Sequence, residues 1–111
     1  MKESKAIIQP NRLPRLREAV RRSPDFPGMT VTQAEGSGYH PGKPHEGGIK
    51  GELTEYSEKV RIEMVVPDEA GERLGALVHS VCHTGRPGDG VVWVTPVEAL
   101  HRLRQPLAAS P

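Results

Sequence analysis

The chain has 111 residues, enough for one small domain, and 35% of them are hydrophobic while 26% are charged. These shares are typical of globular proteins and exclude a chain that is disordered throughout. The net charge of +1 gives no reason to expect nucleic acid as a partner.

Cysteine usage and apolar runs narrow the class of protein further. The one cysteine, Cys82, excludes an intrachain disulfide and any zinc site built from several cysteines. It falls at an apolar position of a predicted helix, so we interpret it as a core residue. No apolar run approaches membrane-spanning length, and the charged start at residues 1–5 is unlike a signal peptide. We therefore expect a cytoplasmic protein that is not itself embedded in a membrane.

The first third of the chain predicts a strand, a helix and a second strand. Residues 6–8 are a short apolar run that stops before Pro10, and Asn11 is a candidate helix cap. The helix that follows has one apolar face, formed by Leu13, Leu16, Ala19 and Val20. Five arginines occupy its other faces, but Glu18 interrupts them and no aromatic residue is interleaved, which favours a solvated face over a nucleic-acid stripe. Residues 29–34 are β-prone.

A long segment with few large aliphatic residues comes next, from Gly36 to about Ser57. It contains six glycines and two prolines. A loop of about twenty residues inside a small domain is uncommon unless the loop is functional. We therefore predict a flexible functional loop at about residues 37–57.

The second half of the chain repeats the strand–helix–strand order. Val60, Ile62, Met64 and Val66 alternate with polar residues, which predicts a strand, and Pro67 and Asp68 then begin a helix. The apolar stripe of that helix contains Ala70, Leu74, Leu77, Val78 and Val81. Residues 91–94 have the pattern of a buried strand, a short segment follows at 97–103, and residues 106–111 are predicted to be a disordered tail. The order predicts an α+β fold, a ferredoxin-like βαββαβ sandwich forming a single domain at residues 1–105.

A glycine-rich turn at residues 84–90 is the strongest local signal for a ligand. Its three glycines leave backbone N–H groups uncovered, and such a concave array attracts phosphate oxygens. Arg86 adds a permanently charged group suited to the same oxygens. The alternative is a tight helix-to-strand connection that binds nothing.

Eight short motifs occur in one order between Lys5 and about Gln105. They lie at residues 6–10, 17–19, 28–32, 36–38, 59–63, 65–69, 84–90 and 96–98, and Arg102 and Arg104 follow them. Each motif is weak alone. The whole series, in this order and at nearly this spacing, resembles the PII signal-transduction proteins, also called nitrogen-regulatory P-II.

The resemblance implies a homotrimer that binds ATP or ADP in the clefts between neighbouring subunits, and AMP is a further candidate. One subunit would supply Gly36, Ser37, Gly38, Gly88, Asp89 and Gly90. Its neighbour would supply Gly28, Met29, Thr30, Val65, Arg102 and Arg104. The long loop corresponds to the family's T-loop, which such proteins insert into channels, transporters or enzymes to control them. The resemblance thus implies a regulator without enzyme activity, whose expected partner is a membrane transporter or channel.

The chain departs from the family pattern at three places. The tyrosine that some members have uridylylated is absent, with Glu52 near its place, so we do not expect that modification. Val91 stands where the family has a lysine that grips phosphates, and Arg86 is the candidate replacement for that charge. His40 replaces the glutamine that helps to hold Mg²⁺ and 2-oxoglutarate, whereas the lysine that pairs with the 2-oxoglutarate carboxylate is retained as Lys59. Tyr39, His40 and Lys59 are therefore the candidate effector and T-loop residues. We expect weakened nucleotide binding, and a role for Mg²⁺ or 2-oxoglutarate stays open.

The histidines support an alternative hypothesis, that the chain is a metal-binding protein. His40 and His45 lie in the long loop, and imidazole can ligate Zn²⁺ or Cu²⁺, but their spacing is not that of a closed site. His79 and His83, one helical turn apart, would form a half-site that needs a partner chain. Divergent PII-like proteins are associated with heavy-metal or bicarbonate transport, so both alternatives stay open. No spacing indicates a base and a nucleophile, and we expect no catalysis.

Overall fold

The computed structural model describes residues 1–37 and 56–107. The strands are β1 (Lys2–Ile8), β2 (Thr30–Ser37), β3 (Tyr56–Val66) and β4 (Gly90–Pro96), and the helices are α1 (Leu13–Arg22) and α2 (Asp68–Cys82). The strands pair antiparallel in the order β2-β3-β1-β4. This arrangement confirms the predicted α+β, ferredoxin-like βαββαβ fold. Within the two described ranges, no helix is both long enough and apolar enough to cross a membrane.

The hydrophobic core lies between one face of the sheet and both helices. Alternate residues of β1 and β3 point into it, because successive strand side chains face opposite sides of a sheet. The buried sheet residues are Ala6, Ile8, Val60, Ile62, Met64 and Val66, and the buried helix residues are Leu16, Val20, Ala70, Leu74, Val78 and Cys82. Burying each large aliphatic side chain stabilises the fold by about 1.5–3 kcal/mol. This gain explains why each helix has one apolar face.

Both helices begin without a side-chain cap. Asn11 lies inside a 3₁₀ turn, Pro10–Arg12, that precedes α1, so its predicted role as a cap is wrong. Pro14 occupies the first turn of α1, where a missing N–H costs nothing. At the start of α2, the Asp68 carboxylate makes an ion pair with the Met1 amino group at 2.6 Å and makes no capping hydrogen bond.

The strands extend further than apolar residues alone indicated. β1 begins at Lys2, because its charged first residues still pair with β3 and β4. At the other end of the sheet, Gly36 pairs with Ser57 and Ser37 pairs with Tyr56. The predicted loop boundaries at 37 and 57 therefore fall inside strands. The rest of that segment, residues 38–55, lies outside the described part of the chain.

β4 is an edge strand with one exposed face. The prediction of a buried strand at residues 91–94 is therefore wrong. Val91 is 60% exposed and Trp93 is 39% exposed. They lie on the face of the sheet opposite the helices, whereas Val94 packs against Gly75 of α2. The segment at 97–103 forms neither a helix nor a strand. Of the predicted disordered tail, residues 106 and 107 have no regular structure, and residues 108–111 lie outside the described ranges.

Candidate functional site

The glycine-rich turn connects the end of α2 to the start of β4. Gly85, Gly88 and Gly90 have φ values of +82°, +89° and +105°, which side chains disfavour. At Gly90 an added Cβ would lie 1.8 Å from the carbonyl oxygen of Ile7. Glycine is therefore required here both by backbone conformation and by the close approach of β1.

The Asp89 carboxylate closes this turn from inside. It accepts hydrogen bonds from the Thr84 hydroxyl, from the Thr84 backbone N–H at 2.7 Å and from the Gly85 N–H at 2.9 Å. The Thr84 hydroxyl is the largest cause that lowers the pKa of Asp89 to about 2, and the backbone donors and the nearby His83 add to it. The Asp89 carboxylate is thus committed to shaping the turn.

The carbonyl oxygen of Gly88 accepts two hydrogen bonds, one from a side chain just after β1 and one from a side chain of β3. Gln9 Nε2 donates to it at 2.6 Å and Lys59 Nζ donates at 2.8 Å. The Lys59 side chain is buried, at 8% exposure, and its stem passes over Gly36, where an added Cβ would be 3.1 Å from Lys59 Cγ. A buried cation therefore lies directly beneath the turn, where it would favour an anion.

The predicted site residues form two groups in the single chain. Lys59 and Gly36 lie beside the turn that contains Gly88, Asp89 and Gly90. Arg86 is exposed on the same turn, and its backbone N–H donates to the Thr84 hydroxyl oxygen at 3.2 Å.

The second group lies toward the other end of the sheet. Arg102 lines a shallow cleft with Met1, and the Val97 N–H donates to the Met1 carbonyl at 3.0 Å. Gly90 pairs with Ile8 at the opposite end of β1, roughly 20 Å away for a strand of this length. Val65 pairs with Glu3 near the Met1 end of the sheet, and Arg104 is exposed two residues after Arg102. Thr30 pairs with Glu63 nearer the middle of the sheet, and Gly28 and Met29 directly precede it. The resemblance had assigned all of these residues to the neighbouring subunit.

Four predicted positions of the long loop, Gly38, Tyr39, His40 and His45, lie outside the described residues. They include the loop's predicted effector contacts and its candidate metal ligands.

His79, His83 and Cys82 line a cleft of about 220 Å³ whose wall also includes Asp89 and Gly90 of the turn. The rings of His79 and His83 stack nearly parallel, with centroids 5.1 Å apart and planes at 13°. Burial raises the pKa of the Cys82 thiol, in agreement with its predicted place in the core. Within residues 1–37 and 56–107, no three His, Cys, Asp or Glu side chains are grouped to hold a metal ion.

Sequence reasoning missed two residues that shape the turn. Thr84 enters the prediction only as the first residue of the turn, although a Thr and an Asp on either side of two glycines are a recognisable pattern for a turn held by side chains. Gln9 belongs to the motif at residues 6–10, but nothing in the sequence indicates its contact with Gly88, which lies 79 positions further along the chain. Only the pairing of Ile8 with Gly90 brings the two together.

Comparison with known proteins decides the family. The family model for nitrogen regulatory protein P-II matches residues 1–106. The chain belongs to the P-II family. Nitrogen regulatory protein P-II of Azospirillum brasilense is 39% identical, over 94% of this chain and 92% of its own length. The P-II of Rhizobium meliloti is 35% identical over the same shares, and nitrogen regulatory protein GlnK2 of Haloferax mediterranei is 31% identical, over 89% of this chain and 80% of its own.

Proposed function

We propose that this P-II family protein is a signalling regulator that binds ATP or ADP in clefts between the subunits of a homotrimer. The observation that carries the proposal is the glycine turn braced by Asp89 above the buried Lys59 ammonium. The N–H groups of Thr84, Gly85 and Arg86 are engaged within the turn. Those of Gly88 and Asp89, together with the nearby cation, suit the oxygens of a di- or triphosphate. AMP, which has a single phosphate, would make fewer of these contacts.

The separation of the two groups of residues in one chain supports a site between subunits. Arg102 and Arg104 are exposed in an irregular segment near the Met1 end of β1, away from the turn of their own chain. Both groups meet on one nucleotide only if a second copy brings its arginines to the turn of the first. This requirement supports an assembly with one site per pair of neighbours.

The regulatory output is proposed to pass through the T-loop, the segment predicted at residues 37–57. β2 and β3 lead into this segment beside Lys59, so a ligand on the turn would lie next to the strands that carry the loop. A membrane transporter or channel is the proposed partner. We assign the protein no catalytic role.

The metal-binding and bicarbonate-transport alternatives have no supporting observation in the described ranges. His40 and His45 lie outside them, and the stacked rings of His79 and His83 supply at most two ligands. A zinc site needs three or four protein ligands. Calorimetric titration with Zn²⁺ and Cu²⁺, run beside the nucleotides, compares this alternative directly with the proposed function.

The test removes both arginines of the second group. Each charge-assisted hydrogen bond to a phosphate contributes about 1.5–3 kcal/mol, so Arg102→Ala/Arg104→Ala is expected to weaken ATP binding by on the order of a hundredfold. The matched control, Arg15→Ala/Arg22→Ala, removes the same charge from the exposed surface of α1 and is expected to bind like the parent. Calorimetry with ATP, ADP and AMP measures the affinities. If the Arg102/Arg104 variant binds ATP as tightly as the parent, the nucleotide site is elsewhere or absent.

A second variant tests the same cleft in the opposite direction. Val91 is exposed directly after the turn, so Val91→Lys would place a cation beside the phosphates. We expect tighter binding, with a larger gain for ATP than for ADP because ATP has the greater charge. An equal gain for AMP would contradict a phosphate-directed effect.

A further inference from the structure

One peptide group of the turn is held by two donors of different chemistry. The Gly88 carbonyl accepts from the neutral Gln9 amide at 2.6 Å and from the charged Lys59 ammonium at 2.8 Å. Gln9 directly follows β1 and is half-buried, whereas Lys59 belongs to β3. A residue just after β1 and a residue of β3 thus fix the orientation of a single carbonyl in a loop.

The orientation of this carbonyl sets the direction of the next N–H group. A trans peptide is planar, and its C=O and N–H bonds point in opposite directions. With the Gly88 carbonyl directed at Gln9 and Lys59, the Asp89 N–H is directed away from them. The Asp89 side chain does not compete for this N–H, because its carboxylate is engaged by Thr84 and Gly85.

Glycine gives this peptide an alternative orientation. A flip of the Gly88–Asp89 peptide changes ψ of Gly88 and φ of Asp89. Gly88 has φ of +89°, and a residue without Cβ reaches a wide range of ψ there at little cost. Rotation of the Gly88–Asp89 peptide would replace the outward N–H by a carbonyl oxygen, which repels phosphate. The two side-chain hydrogen bonds are what oppose this rotation in the described structure.

The two donors respond differently to an anion. A buried ammonium is attracted to any phosphate or carboxylate that enters the site, and Lys59 would then leave the carbonyl. A neutral amide has no such competing attraction. Gln9 can therefore keep the peptide oriented when Lys59 turns to a ligand.

We propose that Gln9 is a positioning residue for the phosphate-binding turn, which holds the Gly88 carbonyl so that the Asp89 N–H faces the nucleotide. This inference rests on the proposed nucleotide function and assigns part of that site to a residue at the end of β1. It also predicts that Gln9 matters most when Lys59 is engaged elsewhere or absent.

The binding test is a double-mutant cycle on Gln9 and Lys59. Gln9→Met keeps the length of the side chain but removes its donor, and we expect about a threefold to tenfold loss of ATP affinity, the range for one neutral hydrogen bond. Adding Gln9→Met to Lys59→Met should cost a larger factor than Gln9→Met alone, because no donor then remains. Gln9→Lys keeps a donor of similar reach and should restore the affinity. Gln33→Met makes the same chemical change at an exposed position of β2 and serves as the control.

Nuclear magnetic resonance of the ligand-free protein tests the peptide itself. The ¹³C shift of the Gly88 carbonyl and the ¹⁵N shift of Asp89 report the hydrogen bonds to that carbonyl, and both should move in Gln9→Met but not in Gln33→Met. Unmoved shifts, or equal ATP affinity with and without Gln9 in both Lys59 backgrounds, would overturn the inference. If the parent binds no adenine nucleotide, the proposed function fails, whereas the two shifts still decide whether Gln9 orients the turn. If Gln9→Met does not fold, Gln9→Asn, whose amide is too short to reach, replaces it in both measurements.

Discussion

At the scale of single residues, Asp89 couples the shape of the turn to pH. The ordinary pKa of the carboxyl is 3.8, and the donors of Thr84 and Gly85 lower it to about 2 in the folded chain. A depressed pKa means that folding favours the ionised form. The stabilisation is therefore complete above about pH 4 and is lost as the pH falls toward 2.

We predict that Asp89→Asn flattens the dependence of stability on pH between about 4 and 2. The amide cannot titrate, so the free energy of unfolding should be lower than that of the parent at pH 6 and should approach it near pH 2. Urea unfolding at a series of pH values measures this difference. Some slope should remain, because Arg73 lowers the pKa of Asp25 and the Met1 amino group lowers that of Asp68.

The exposed Glu72 of α2 provides the control, since Glu72→Gln removes a carboxyl outside the turn. Direct titration of the Asp89 carboxyl by nuclear magnetic resonance gives a second measurement. A midpoint near the ordinary value of 3.8 would contradict the hydrogen bonds that the structure assigns to this carboxylate.

At the scale of secondary-structure elements, the glycines of two turns allow a matched comparison. Gly90 and Gly28 have similar positive φ values, +105° and +94°. An added Cβ at Gly28 would meet nothing within 4 Å, whereas at Gly90 it would lie 1.8 Å from the Ile7 carbonyl oxygen. The backbone strain is thus shared by both positions, and the steric clash is confined to one.

We predict that Gly28→Ala lowers the free energy of unfolding by about 1–2 kcal/mol, the cost of left-handed backbone for a residue with Cβ. Gly90→Ala should cost several kcal/mol more, because β4 must move away from β1. Denaturant unfolding measures both variants, and amide hydrogen exchange in β4 should accelerate only in Gly90→Ala. Equal effects of the two substitutions would show that β4 does not approach β1 closely.

The sequence predicted an element well where its side chains follow a regular local pattern, and poorly where they do not. Strict alternation placed β3 and its buried face correctly, since Val60, Ile62 and Met64 are all in the core. The ends of β2 and β3 could not be predicted in this way, because Gly36 and Ser57 are paired by backbone hydrogen bonds that leave no mark in side-chain polarity. The run at 91–94 looked buried because valine and tryptophan suit either face of a strand.

Within the candidate site, residues close together in the sequence could be predicted, whereas contacts between distant residues could not. The turn and Arg86 could be found from their own seven residues, and the retained Lys59 from the family resemblance. The contact of Gln9 with Gly88 depends on how β1 and β4 align, with Ile8 opposite Gly90. Such a register is a property of the folded sheet and not of either segment.

At the scale of the whole molecule, the sheet has one covered and one open face. The helices cover one face, and the other bears Ile7, Val65, Val91 and Trp93. Charged residues lie among them, and Lys5 pairs with Glu3 at 3.4 Å and with Glu63 at 3.8 Å. An open face that mixes a large aromatic residue with matched charges is suited to contact with another copy of the chain.

We predict that Trp93→Arg disrupts the proposed homotrimer and with it the binding of ATP. Trp93 is 39% exposed and is the only tryptophan of the chain, so its fluorescence reports this face alone. Light scattering should give three times the chain mass for the parent and a smaller mass for the variant. The tryptophan emission of the parent should shift to longer wavelength when dilution separates the subunits.

The control for this prediction is Ala76→Arg, which adds the same charge on the exposed side of α2. It should leave both the mass and the ATP affinity unchanged. Because Arg102 and the Gly88 turn of one chain lie apart, a monomer can present only half of the proposed cleft. A Trp93→Arg monomer that still binds ATP like the parent would therefore place the whole nucleotide site within one chain and contradict the intersubunit arrangement.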